Sequence, residues 1–166
     1  MTQHSDEVDR IVDAWVRQRP DLDFSPLEVL SRVDRLSRHL DRARRDAFRR
    51  SDLEPWDWDV LSALRRAGEP FERAPGDLAR HTMVTTGAIT KRIDRLVEAG
   101  LASRRQSDVD GRGRVVALTP EGLELIDRAF EHHMRNEARL LAELEPHQAE
   151  QLEGILTAWL ARHEQG

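Results

Sequence analysis

Apolar residues recur at helical spacing along most of the chain. In residues 6–19, Val8, Ile11, Val12, Trp15 and Val16 fall at i, i+3, i+4, i+7 and i+8, which predicts an amphipathic helix that Pro20 stops. PDLDFSP then reads as a linker, and Ser25-Pro26 as a cap and first-turn pair. A long helix is expected to about residue 50, with Leu27, Leu30, Val33, Leu36, Leu40, Ala43 and Phe48 near one stripe. Pro55 opens a third helix, PWDWDVLSALRRA, which Gly68 ends, and residues 68–74 read as a loop. A short helix over 75–80 and a longer one over 85–99, ended by Gly100, follow. Residues 101–106 and 114–118 have strand character, and SDVDGRG between them reads as a hairpin tip. Thr119-Pro120 starts a helix to about residue 144; Glu145-Pro146 breaks and restarts it, and the last helix ends near 163. The prediction is a mainly α fold with a small β-hairpin, in the order of five helices, two strands and two helices, with no internal repeat.

The segment from 75 to 119 carries the chemistry. In its longer helix Ile89, Ile93, Leu96 and Val97 make one apolar face. The opposite face carries Gly87, Lys91, Asp94 and Glu98, with Thr90 and Arg95 on its shoulders. The first half of that outer face is therefore small and basic. Thr85 and Thr86 open the helix, where free N–H groups and hydroxyls suit a phosphate. Glycines on both sides of Arg112 let the hairpin tip turn tightly, so that Arg112 or Arg114 is able to reach a minor groove. Such a unit is built to enter a DNA groove as a winged helix-turn-helix.

Charge distribution changes the picture that net charge suggests. The chain of 166 residues carries −5 overall. Residues 80–114 hold eight Lys/Arg against four Asp/Glu, and residues 32–50 eight Arg against three Asp, which leaves −14 on the remainder. Attraction to phosphate depends on the patch within a Debye length of about 8–10 Å, so an acidic body with basic faces orients the encounter. At 39% hydrophobic and 34% charged, the chain is lean in core, which favours burial against a second copy. It has no cysteine, so disulfides, thiolate metal sites and a cysteine nucleophile are excluded. No apolar run approaches a membrane span of about 18 residues and the N-terminus is acidic and polar, so a soluble, cytoplasmic protein is expected.

TTGAITKRIDRLVEAGLASRR followed by DVDGRGRVVALTPEG resembles the MarR family of winged-helix regulators. The second run matches that family's D-x-R-x-x-x-V-x-L-T wing signature at Asp110, Arg112, Val116, Leu118 and Thr119. The resemblance covers nearly the whole chain. It implies a homodimer, interlocked through its first and last helices, that binds a pseudo-palindromic operator as a ligand-relieved repressor. On that reading residues 1–50 are N-terminal helices for the ligand pocket and dimerisation, 51–118 the DNA-binding domain, and 119–166 the C-terminal dimerisation helices.

PWDWDVLSALRR, AWVRQRPDLD and the KRIDRL…SRR run are similar, more narrowly, to the urate-responsive PecS/HucR-like branch. That likeness implies an effector site of Trp15, Asp59, Arg92 and Arg104 for a small anion: urate first, a xanthine-like purine or a polycarboxylate otherwise. Independently, Arg92 lies about 85° from the centre of its helix's apolar stripe, so it points sideways and needs a carboxylate partner. Asp57 lies nearer the apolar face of its own helix than Asp59 and stays open as the alternative carboxylate; it also suits the first-turn dipole. The competing reading of the quartet is structural ion pairs and an interface tryptophan, in a regulator that answers a metal or another ligand. Trp56, Trp58 and Trp159 read as core or interface residues.

No cofactor or metal site is predicted. His132 and His133 are adjacent and point about 100° apart on a helix, and His39, His81, His147 and His163 lack ligand spacing. The chain has no Ser/His/Asp spacing and no phosphate loop, so an enzyme is not expected. The arginine-rich helix over 32–50 is equally a phosphate-contacting or a solvated face.

Overall fold

The computed structural model describes residues 6–49, 53–82, 85–106 and 113–164. They form α1 (Glu7–Gln18), α2 (Ser25–Arg49), α3 (Pro55–Arg65), β1 (Glu72–Arg73), α4 (Pro75–His81), α5 (Thr86–Glu98), β2 (Ala102–Gln106), β3 (Arg114–Leu118), α6 (Pro120–Leu141) and α7 (Pro146–Leu160). The hairpin tip, with Arg112, lies outside the described residues. The predicted element order holds with one correction. The loop expected over 68–74 contains a two-residue strand, β1, which pairs antiparallel with β3 so that Glu72 faces Ala117 and Arg73 faces Val116. The sheet order is β1-β3-β2. A free edge on β3 makes those bonds, and nothing in the composition of so short a segment announces it.

The chain divides into two compact units, Met1–Asp46 and Ala47–Gly166. In the first, Asp6 caps α1 by accepting from the N–H groups of Val8 and Asp9, and Asp9 closes a capping box. Arg32 of α2 reaches both carboxylates, at 2.8 Å from Asp6 and 2.6 Å from Asp9. Trp15 stacks on Phe24 with ring centres 6.4 Å apart and remains half exposed.

The second unit holds one core. Val60, Leu61 and Leu64 of α3, Leu78 of α4, Ile89, Ile93 and Leu96 of α5, Val116 of β3 and Ile126 of α6 are almost wholly buried. At about 25 cal/mol per Å² of apolar surface this cluster is the main favourable term in the unit. Ile126 and Ala129 belong to the same cluster, so packing does not stop at the boundary expected after residue 118. Phe48, Trp58, Phe130 and His133 form an aromatic cluster beside it, Phe48 stacking on Trp58 at 4.8 Å.

Two joints fix the geometry of this unit. Gly100, at φ +72°, ends α5; its N–H bonds to the Val97 carbonyl at 3.0 Å and that of Leu101 to Leu96 at 2.9 Å. This is the Schellman pattern, and a left-handed residue there favours glycine. Thr119 then caps α6: its hydroxyl accepts from the Gly122 N–H at 3.0 Å and donates to the Gly100 carbonyl at 2.7 Å. Gly122 sits so close to Leu101 that a Cβ there would lie 1.9 Å from the Leu101 oxygen. The first turn of α6 is thus keyed to the turn between α5 and β2.

Candidate nucleic-acid interface

Helix α5 is held by its apolar face and presents the other. Ile89, Ile93 and Leu96 are buried, and Val97 packs against the core. Gly87, Thr90 and Lys91 are exposed. Thr85 caps the helix by accepting from the Ala88 N–H at 3.3 Å. The short helix α4 packs beside α5 through Leu78. After α5 comes the β2–β3 hairpin, in register from Ala102 opposite Leu118 to Gln106 opposite Arg114. Arg104, Gln106 and Arg114 stand exposed on it. Together with Arg105 they line a polar cleft of about 420 Å³.

The sequence placed Arg95 with the groove-facing residues. Its guanidinium instead turns to the first turn of α3, where Nη2 lies 3.4 Å from Asp57 Oδ2 and the group stacks over the Trp56 ring at 5.5 Å. The cause is Asp57: it is 4% exposed, and a buried carboxylate draws the nearest cation. Burial pushes the Asp57 carboxyl above its ordinary value, opposed by the Glu54 N–H and by Arg95. Its Oδ1 has no hydrogen-bond partner. The alternative Asp57 is thus the inward carboxylate, as its place on the helix indicated.

Of the four expected effector residues, the structure brings two together. Arg92 Nη1 lies 3.8 Å from Asp59 Oδ2, too far for a hydrogen bond. That Nη1 is buried and without a hydrogen-bond partner, while Asp59 is half exposed. Loss of solvent pushes the Asp59 carboxyl up, and Arg92 and then Arg66 pull it partly back. Arg104 is engaged elsewhere: its Nη1 donates to Asp94 of α5. Trp15 belongs to the first unit, where Phe24 is its aromatic neighbour. Sequence reasoning put Asp94 on the outer face but gave it no partner. A ten-residue step from the middle of a helix to the following strand was the available signal.

A buried helical scaffold, a helix with an exposed small and basic face, and a strand hairpin directly after it define a winged helix-turn-helix regulator. A family model described as "MarR family" matches residues 51–113. The chain is 35% identical over 150 residues to the HTH-type transcriptional regulator PecS of Dickeya dadantii, covering 90% of each chain. It is 31% identical over 107 residues to the HTH-type transcriptional repressor IacR of Pseudomonas putida, covering 64% of this chain and 60% of that one. A mutant MarR from E. coli, complexed with operator DNA, superposes with a TM-score of 0.68 at 25% identity, covering 82% of this chain and 97% of that one. The protein belongs to the MarR family and is a transcriptional regulator. Among the described residues no helix is long and apolar enough to cross a membrane.

Proposed function

We propose that the protein is a dimeric, cytoplasmic repressor that binds a pseudo-palindromic DNA operator and is released by a small anion, with urate the first candidate. One observation carries the DNA part: α5 buries Ile89, Ile93 and Leu96 and leaves Gly87, Thr90 and Lys91 to solvent. Thr85, Thr86, Thr90 and Lys91 meet the duplex, while Arg112 and Arg114 bring the wing to the neighbouring groove. Arg95 serves from its tether on Asp57, where it also fixes the helix.

Dimerisation is supported by large apolar side chains left exposed in both units. Val29, Leu30, Val33 and Leu36 of α2 and Phe130, Met134 and Leu141 of α6 are all between 44% and 56% exposed. A monomer seldom leaves so much apolar surface open. Residues 1–50 and 119–166 supply those faces on either side of the DNA-binding segment 51–118.

The effector reading rests on Arg92. A buried guanidinium N–H without an acceptor, 3.8 Å from a carboxylate that desolvation favours in its neutral form, suits a forked anion. Arg104 supplies the second cation. Gel shift on the DNA upstream of the gene, titrated with urate, xanthine and citrate and repeated with a chelator, tests the whole. Steeply salt-dependent binding that urate relieves is the expected result. No binding to that DNA refutes the regulator reading. A response to the chelator but not to urate refutes the effector.

A further inference from the structure

The outer face of α5 is not uniformly small and basic. Asp94 lies on it, about 20° around the helix from Gly87 and about 60° from Lys91. A carboxylate there opposes phosphate. Its charge is met by Arg104, whose Nη1 donates to Asp94 Oδ1 from β2. Both side chains are accessible, at 36% for Arg104 and 48% for Asp94. Arg105, next along the strand, is already paired with Glu72. Arg104 is therefore the wing cation that covers Asp94, the acid nearest Lys91 on the recognition helix; Glu98 lies at its far end.

We propose that Arg104 masks Asp94 for DNA binding, and that an anionic effector releases the operator by drawing Arg104 away and baring that carboxylate to the phosphates. The second half rests on the effector reading above; the first half does not. One guanidinium fork serves one planar acid well, so a ligand anion and Asp94 compete for it. Once bare, Asp94 sits within a Debye length of the backbone, where like charge repels. The ligand thereby acts through a change in surface charge on the reading helix, as well as through any movement of the helix itself.

The test uses the full-length protein, its upstream operator fragment and urate. Asp94→Asn is expected to bind operator more tightly than the parent, because one acid has left a phosphate-facing surface. Urate should still bind the free variant in calorimetry, at least as well as it binds the parent, because its competitor is gone. The urate-induced weakening of operator binding should fall from about tenfold to below about threefold, within the usual range of allosteric coupling. Arg104→Ala is expected to weaken operator binding without any ligand, and Asp94→Asn on top of it to restore most of the loss, with a larger gain than Asp94→Asn gives in the parent, a non-additivity that marks direct coupling. A full urate response by Asp94→Asn overturns the release mechanism. A double variant as weak as Arg104→Ala overturns the masking and makes Arg104 a DNA contact. If urate does not bind even the parent, the effector assignment fails, and the double variant still decides the masking.

Discussion

Gly122→Ala sets two effects of opposite sign against each other at the joint between α6 and the recognition unit. Alanine is the better helix former by about 1 kcal/mol, which alone would stabilise α6. The added methyl, however, would stand 1.9 Å from the Leu101 oxygen, 2.8 Å from its carbonyl carbon and 3.2 Å from its Cα. Ordinary contact begins at about 3.5 Å, so something must move by roughly 1.5 Å. Leu101 is poorly placed to retreat, since its N–H is bonded to Leu96 at 2.9 Å and its carbonyl accepts from Thr119 at 3.2 Å. If α6 moves instead, it strains the Thr119 hydroxyl's bonds to Gly122 and Gly100. Two or three hydrogen bonds at about 1 kcal/mol each, with about 1–3 kcal/mol of overpacking, outweigh the helix gain. The net expectation is a loss of about 3 kcal/mol and a melting temperature lower by on the order of 10 °C for a chain of this size. Thermal and urea melts followed by circular dichroism, at one fixed protein concentration, read it directly. Gly87→Ala in α5, where a Cβ meets nothing within 4 Å, is the control and should be neutral or slightly stabilising. A Gly122→Ala protein as stable as its parent would refute the keyed joint.

Lys91→Ala should lower operator affinity and reduce the slope of log affinity on log salt by about 1 for each phosphate left without its cation, with an unchanged melting curve; an unchanged slope assigns Lys91 to solvent. Arg92→Ala and Asp59→Asn should leave a folded DNA-binding protein whose gel shift urate no longer relieves, and a full response in both removes Arg92 and Asp59 from the effector site. Because burial raises the Asp57 carboxyl above 3.8 in the folded chain, the native state holds that proton more tightly than the unfolded one. The stability difference of Asp57→Asn over the parent should therefore shrink as pH falls from the raised value toward 3.8. A difference that widens on acidification would mean that Arg95, rather than burial, dominates.

What the sequence made legible was whatever local chemistry decides. Ile89, Ile93 and Leu96 repeat at the spacing of one helix face, and all three are buried. Thr85, Gly100 and Thr119-Pro120 mark helix ends by capping rules and do so here. The inward tilt of Asp57 followed from its position on the helix wheel. What stayed hidden depends on partners distant in the chain. β1 exists because β3 has an edge to offer. Long guanidinium arms choose among carboxylates within reach, so Arg95 turned to Asp57 and Arg104 to Asp94, choices that helical angle alone does not rank.

Helix α6 spans 22 residues; its first turn is clasped to the Leu101 turn, Ile126 and Ala129 seat its middle in the core, and its distal half runs on beyond them. At 1.5 Å per residue it is a rod about 33 Å long. A tilt of about 10° at the clasp sweeps its far end through about 6 Å. Conversely, whatever braces the Leu141 end fixes the angle of the wing and of α5 with a lever's precision. On the dimeric reading proposed above, half-sites one turn of duplex apart tolerate little angular error. Substitutions at the distal end of this rod, remote from any base pair, are accordingly a place from which operator spacing can be retuned.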